Sequence, residues 1–161
     1  MKKTSNIIVT SQISGISRIK LNEPNTYNAL SSKTLKSLIR IFKALNYENK
    51  TKVIIIEGSG TGFSAGHDLK EIRSLKKKSK YKNLFKLCSK LMLEIVEGRK
   101  PVIAKVHGAA YAAGCQLAAS CDLAYSTKDA SFATPGVNIG LFCSTPMVAV
   151  SRKINRKIMM K

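Results

Sequence analysis

Phe63-Ser64-Ala65-Gly66-His67-Asp68-Leu69-Lys70 is the first of two stretches that decide how this chain folds. The second follows about forty residues later as His107-Gly108-Ala109-Ala110-Tyr111-Ala112-Ala113-Gly114-Cys115-Gln116. Both place small residues just before a predicted helix, where backbone N–H groups lack helical acceptors and point forward. Two such groups that converge on one point would stabilise a developing negative charge on a carbonyl oxygen. In neither stretch is a carboxylate obviously placed to act as an acid or base.

The length and composition predict one globular domain without a membrane span. The chain has 161 residues, of which 44% are hydrophobic and 23% charged, as in ordinary globular proteins. No run of about eighteen apolar residues occurs. The first residues are charged but lack the apolar segment of a secretory signal, so we expect a cytoplasmic protein.

The net charge of +19 is the strongest compositional signal. It is compatible with a polyanionic partner such as nucleic acid, a membrane surface or a phosphorylated cofactor. It is also compatible with compositional drift, because lysine far exceeds arginine and Asn, Ile and Lys are abundant throughout. Since no RNA-binding motif or arginine cluster accompanies the charge, we favour drift and do not expect dedicated nucleic-acid binding.

The cysteines predict no metal centre. Cys88, Cys115, Cys121 and Cys143 form no C-x-x-C pair, and the two histidines add no zinc-ligand spacing. We expect reduced thiols that pack as small core residues.

Strands alternate with helices along the chain, which predicts an α/β fold with right-handed crossovers. Strands are expected at residues 6–10, 15–21, 53–56, 101–106, 122–125 and 131–133. The first two are expected to form a hairpin with a tight turn at 11–15, because Arg18 and Lys20 alternate with apolar neighbours. The β-branched run at 53–56 predicts a strand that is covered on both faces. Helices are expected at residues 32–45, from near 68, from after a basic turn at 76–82 to about 98, at 112–121 and at 145–160. Ser31 or Ser32 can cap the first of them. Apolar residues share one face of the first and third helices: Leu35, Leu38, Ile39, Phe42 and Leu45 in the first, and Leu84, Leu87, Leu91, Met92 and Ile95 in the third.

At these residues the chain resembles the crotonase superfamily, also called the enoyl-CoA hydratase/isomerase family. The resemblance rests on four segments in the correct order: Asn28-Ala29-Leu30-Ser31, residues 63–71, residues 108–122 and residues 131–141. The details are most similar to the branch called enoyl-CoA hydratase domain-containing protein 3. The resemblance implies a crotonase-like (ClpP/crotonase) spiral of ββα units over residues 1–161, lacking the C-terminal helical region.

The resemblance also implies a ligand and its contacts. An acyl-CoA thioester would be the substrate, with no permanently bound cofactor, and its carbonyl oxygen would accept from the backbone N–H groups of His67 and Ala113. The remaining residues expected to contact the CoA thioester are Asn28, Ala29, Leu30, Ala65, Gly66, Asp68, Leu69 and Gly114.

The chain departs from the family pattern at its acid–base positions. The two glutamates that activate water in family hydratases would fall at Gln116 and Gly136. Gln116 can hold a water or a substrate but cannot exchange a proton near neutral pH, and Gly136 offers no side chain. His67, Asp68 and Glu71 are the nearby titratable alternatives. We therefore expect very low hydratase activity.

Three functions remain open from the sequence. The first is an acyl-CoA-binding protein of fatty-acid metabolism, the second a non-catalytic CoA-binding module or decaying copy, and the third an electrostatic nucleic-acid binder. Family members usually continue further and assemble as trimers or hexamers. The chain is accordingly expected to be C-terminally truncated, which puts a homo-oligomer in doubt.

Overall fold

The computed structural model describes residues 6–11 and 14–160. The strands are β1 (Ile7–Ser11), β2 (Ile16–Leu21), β3 (Val53–Gly58), β4 (Val102–Val106), β5 (Ala109–Tyr111), β6 (Leu123–Ser126) and β7 (Ser131–Ala133). The helices are α1 (Ser32–Tyr47), α2 (Leu69–Ser74), α3 (Lys78–Val96), α4 (Ala113–Ser120), α5 (Ser144–Ser151) and α6 (Arg156–Met159). Two short 3₁₀ turns cover Pro24–Thr26 and Pro135–Ile139.

The main sheet has the order β1-β2-β3-β4-β6, and only its first pair is antiparallel. The β1–β2 hairpin was expected from alternating side chains, and the register pairs Ile7 with Leu21. Its predicted turn at 11–15 includes residues 12 and 13, which lie outside the described residues. Ile54 and Ile56 in β3 are fully buried, as expected for a central parallel strand.

A second layer of short parallel segments runs beside the main sheet. β5 pairs with β7, Ser64 bridges to Ala110, and Leu30 bridges to His67. Each of the strands β2, β3, β4 and β6 is thus followed by a short extended segment, and in the first three of these units a helix comes next. This repetition is the predicted spiral of ββα units, so the fold class is confirmed.

Helices α1 and α3 cover the main sheet and close the core. Ser31, one of two candidate caps, begins α1 by accepting a hydrogen bond from Thr34 N at 3.2 Å. The buried face of α1 carries Leu35, Leu38 and Phe42, which are fully buried. Periodic apolar residues of this kind predicted both helices.

Three elements differ from the sequence-based expectation. The helix expected at 145–160 is interrupted, because Asn155 caps a separate α6 by accepting from Lys157 N at 3.0 Å. β5 was not predicted, since its pairing partners lie far away in sequence. α3 begins inside the expected basic turn, where lysines are good helix formers. Within the described residues, no helix has the length and apolar character that crossing a membrane requires.

Candidate functional site

Main-chain hydrogen bonds join the two stretches that opened the sequence analysis. The N–H groups of Phe63 and Ser64 both donate to Ala109 O, at 3.0 and 3.1 Å. In return Tyr111 N donates to Ser64 O at 2.9 Å. The segments that precede α2 and α4 are therefore neighbours, and the two helices start on the same side of the second layer.

Two glycines allow the segments to pack this closely. A Cβ added to Gly114 would lie 2.2 Å from Ser64 O, and one added to Gly66 would lie 3.0 Å from Ala113 N. No side chain fits at Gly114 without displacing main chain, since real Cβ atoms do not approach an oxygen at that distance. Close approach of backbone to backbone is the reason for glycine at both positions.

The N–H groups of His67 and Ala113 lie where the two segments lead into α2 and α4. Gly66 O accepts from Leu30 N at 2.7 Å, so the N–H of the same planar peptide, that of His67, points away from Leu30. Ala112 O accepts the first helical bond from Gln116 N at 3.0 Å, so Ala113 N–H points out of the start of α4. Among the described residues, neither N–H has a protein acceptor.

The residue before each of these two N–H groups has an unusual backbone conformation. Gly66 has φ +94°, which glycine adopts without strain. Ala112 has φ 48° and ψ −118°, a combination that an L-residue rarely adopts. Strain of this kind costs free energy and is found preferentially at functional sites.

The imidazole of His67 is packed against the protein. Its Nδ1 lies 3.3 Å from Leu30 O, and its ring meets the edge of Phe85 with centroids 5.4 Å apart. Burial lowers the pKa of His67 below its ordinary value, although the Leu30 carbonyl and the Glu71 carboxylate oppose the shift. A neutral imidazole beside the amide pair is therefore the favoured form near pH 7.

Both nearby carboxylates bind main-chain N–H groups. Asp68 caps α2 by accepting from Lys70 N at 2.9 Å and from Glu71 N at 3.2 Å. Glu71 accepts from Ser32 N at 2.8 Å, which links α2 to the start of α1. Their structural roles account for these two carboxylates without a proton-transfer role.

The predicted contact residues 28–30 lie beside the first stretch. Asn28 has φ 54°, and its amide donates to Ser59 O at 2.8 Å and to Gly62 O at 2.9 Å. Ala29 and Leu30 are buried, and Ala65 N donates to Tyr27 O at 2.9 Å. The side chain of Asn28 thus holds the 59–62 loop in place. Leu69 and Ala65 are exposed to solvent.

Gln116 lies in the first turn of α4 and is buried. Its Oε1 accepts from Thr145 Oγ1 at 3.2 Å and faces Cys88 Sγ at 3.9 Å. The side chain thus connects α4 to α3 and α5. A neutral amide in this setting cannot transfer protons near pH 7.

Gly136 has no room for any side chain. A Cβ there would lie 2.4 Å from Leu141 O and 2.6 Å from Cys143 Sγ. The turn is closed by Leu141 N, which donates to Gly136 O at 2.8 Å. The space beside Pro135 is filled by the segment that follows it.

The family model described as Enoyl-CoA hydratase/isomerase matches residues 11–161. The chain belongs to the enoyl-CoA hydratase/isomerase family. It is 48% identical over 158 residues to the mitochondrial enoyl-CoA hydratase domain-containing protein 3 of Danio rerio, covering 98% of this chain and 55% of that protein. The Homo sapiens protein of the same name is 50% identical over 147 residues, which is 91% of this chain and 48% of its own length. The resemblance to this branch of the family is confirmed.

Solved structures of the enoyl-CoA hydratase/isomerase family have the same fold. A Mycobacterium smegmatis enoyl-CoA hydratase superposes with a TM-score of 0.94 at 44% identity, over 97% of this chain and 61% of that one. Human enoyl-CoA hydratase domain-containing protein 3 gives 0.91 at 46% identity, with the same coverage of 97% and 61%. The chain spans about half the length of the curated relatives it matches.

Several site contacts were not predicted from the sequence. Phe85 contacts His67, Glu71 caps the start of α1, and Thr145 holds Gln116. These partners are 18, 39 and 29 residues apart, and no local pattern marks a contact at such separations.

Proposed function

We propose that this chain binds an acyl-CoA thioester, with the carbonyl oxygen accepting from the N–H groups of His67 and Ala113. The observation that supports the proposal is that these two N–H groups, which have no acceptor among the described residues, belong to segments in close contact, where a Cβ on Gly66 would lie 3.0 Å from Ala113 N. A thioester carbonyl gains negative charge in enolate-like states, and each donor supplies about 3 kcal/mol of stabilisation there.

The same proposal includes very low hydratase turnover. Water addition requires groups that accept and donate protons, and the positions expected to carry them hold an amide and a glycine. The thiols of Cys88 and Cys115 do not substitute, because burial raises their pKa to about 12 and about 11. In this proposal the chain binds acyl-CoA without efficient hydration and acts in fatty-acid metabolism.

Other parts of the expectation remain proposals as well. The cellular location is one of them: the names of the curated relatives in zebrafish and human contain the word mitochondrial, which fits poorly with the cytoplasmic location expected from the first residues.

The test is calorimetric titration with butyryl-CoA and crotonyl-CoA, followed by a hydration assay on the same preparation. We expect binding of both thioesters and no measurable hydration. Turnover of about 10 per second or more would contradict the assignment of Gln116 and Gly136. Absence of binding to either thioester would contradict the proposal as a whole.

A further inference from the structure

Two thiols of the chain contact one short stretch at the end of β7. Cys143 precedes α5, and its Sγ lies 2.6 Å from the position that a Cβ on Gly136 would take. The sulfur therefore fills the space in which position 136 would otherwise carry a side chain. Cys115 lies in the first turn of α4, and its thiol is hydrogen-bonded to the main chain of Ala133. Both sulfurs thus pack on residues 133–136.

The helices that carry these thiols are also in direct contact. Thr145 Oγ1 donates to Gln116 Oε1 at 3.2 Å. Gln116 is the neighbour of Cys115 along the chain. Thr145 lies two residues after Cys143. Burial is the main reason that the pKa of Cys115 is raised to about 11, and the nearby Cys143 thiol adds to the increase. The first turns of α4 and α5 thus bring the two thiols together.

The two thiols differ in their access to solvent. Cys143 is half-buried and follows residues 137–142, all of which are exposed, whereas Cys115 is buried. A small oxidant in solvent therefore reaches Cys143 more readily than Cys115. An accessible thiol with a second thiol beside it is the usual arrangement of a cysteine that is oxidised first and a cysteine that resolves the product into a disulfide.

We propose that Cys143 and Cys115 form an oxidation site, at which hydrogen peroxide converts the two thiols into a disulfide. The Cys143 thiolate attacks a peroxide oxygen, the O–O bond breaks, and a sulfenic acid and hydroxide form. The Cys115 sulfur then attacks the sulfenic sulfur, the S–S bond forms and water leaves. Two thiols and one hydrogen peroxide give one disulfide and two waters, so the electrons balance without a further reactant.

The second step is slow, and the proximity of the thiols lets it occur. With a pKa of about 11, about one Cys115 in 3,000 is a thiolate at pH 7.5. A partner that the fold holds in place acts at an effective concentration far above that of a thiol in solution. The disulfide closes a loop of about 28 residues and joins the start of α4 to the turn before α5, which restricts the unfolded chain.

The other two thiols are poorly placed for this reaction. Cys121 directly follows α4, six residues after Cys115, which corresponds to a rise of about 9 Å. That distance exceeds the Cα separation that a disulfide spans. The Cys121 thiol donates to Leu117 O at 3.3 Å, and the Cys88 thiol faces Gln116 Oε1 at 3.9 Å. We therefore expect one specific link.

The test treats the reduced full chain with a small excess of hydrogen peroxide, alkylates the remaining thiols in denaturant and maps the unreduced peptides by mass spectrometry. We expect a linked peptide pair that contains Cys115 and Cys143, with a mass lower by about 2 Da than the two reduced peptides together. The linked chain should unfold at a higher temperature, and a reducing agent should reverse that shift.

Three variants sharpen the test. Cys143→Ser should abolish the link. In Cys115→Ser, oxidation should stop at the sulfenic acid of Cys143, which a dimedone probe traps. Cys121→Ser is the matched control: a serine hydroxyl can donate to Leu117 O as the thiol does, and the link should form as in the native chain.

The peptide map of the native chain also shows whether the proposal is wrong. Oxidation of Cys143 to a sulfinic acid while Cys115 remains free for alkylation would contradict it. A link from Cys143 to Cys88 or to a second chain would do the same, and so would four free thiols after treatment. These results need no variant, so a loss of stability in Cys115→Ser does not affect the decision. None of them bears on thioester binding.

Discussion

Residues 63–67 and 109–113 are held by main-chain hydrogen bonds, whereas the region of Gln116 and Gly136 depends on side chains and on a filled turn. The first region requires only that small residues stay small. The family resemblance implies that hydration would need two carboxylates in the second region. That region has the amide of Gln116 and, at Gly136, no room for a side chain. In the proposed function, thioester binding and proton transfer therefore rest on different parts of the sequence, and binding can be kept while proton transfer is absent.

Among the variants, Gly66→Ala is expected to have the largest effect on stability and on thioester affinity. The new methyl would lie 3.0 Å from Ala113 N on a residue with φ +94°, so both packing and backbone conformation oppose it. We expect a loss of about 2–5 kcal/mol in the free energy of unfolding and a loss on the order of a hundred-fold in butyryl-CoA affinity. Urea titration and calorimetry measure the two quantities.

Gly140→Ala is the matched control for that variant. Gly140 also has positive φ, at +70°, but a Cβ there meets nothing within 4 Å. Gly140→Ala should lower the free energy of unfolding by about 1 kcal/mol and leave the affinity for butyryl-CoA unchanged. Equal affinity losses in the two variants would show that strain, and not the geometry of the amide pair, controls binding.

A smaller effect is expected from Gln116→Glu. The carboxylate would be buried against Thr145 and Cys88, so the free energy of unfolding should fall by about 1–3 kcal/mol. Hydration of crotonyl-CoA should remain undetectable, because Gly136 still lacks a partner carboxylate. Gln116→Met, which preserves volume without charge, is the control. Efficient turnover in Gln116→Glu would mean that one carboxylate suffices.

Elements of the fold were predictable where neighbouring residues in the sequence determine them, and less predictable where contacts between distant residues do. Apolar periodicity around Leu35, Leu38 and Phe42 predicted α1, and the small residues around Gly66 and Gly114 predicted the close approach before α2 and α4. The break at Asn155 was missed because Val150, Ile154 and Ile158 continue a helical spacing across it, although Asn favours an N-cap over a helix interior. The crowding at Gly136 was missed because it depends on Leu141 O and Cys143 Sγ, which only the folded turn places there.

The half-buried histidine His67 should make the free energy of unfolding depend on pH. The pKa of His67 is lowered in the folded state by burial, so on acidification the unfolded chain binds the proton first. The contribution of His67 to stability is present above about pH 6.5 and is lost as the pH falls toward the folded pKa, with a slope of at most about 1.4 kcal/mol per pH unit. Urea unfolding at pH 7.5 and 5.5 should show a smaller decrease for His67→Gln than for the native chain. The control His107→Gln changes the only other histidine, and an unchanged decrease in His67→Gln would contradict the prediction.

The smallest effect concerns thiol reactivity. Burial raises the pKa of Cys88 and Cys121 to about 12 and that of Cys115 to about 11, whereas Cys143 is only half-buried. A disulfide reagent at pH 8 should therefore titrate one thiol rapidly, and Cys143→Ser should abolish that rapid phase. Rapid reaction of two or more thiols in the native chain would show that the region around Gln116 opens readily.

The most direct measurement is a crystal structure of the chain with bound butyryl-CoA, a saturated thioester that cannot be hydrated. The account predicts that the thioester oxygen lies within about 3.1 Å of both His67 N and Ala113 N. A carbonyl that contacts only one of these nitrogens, or that points away from both, would contradict it.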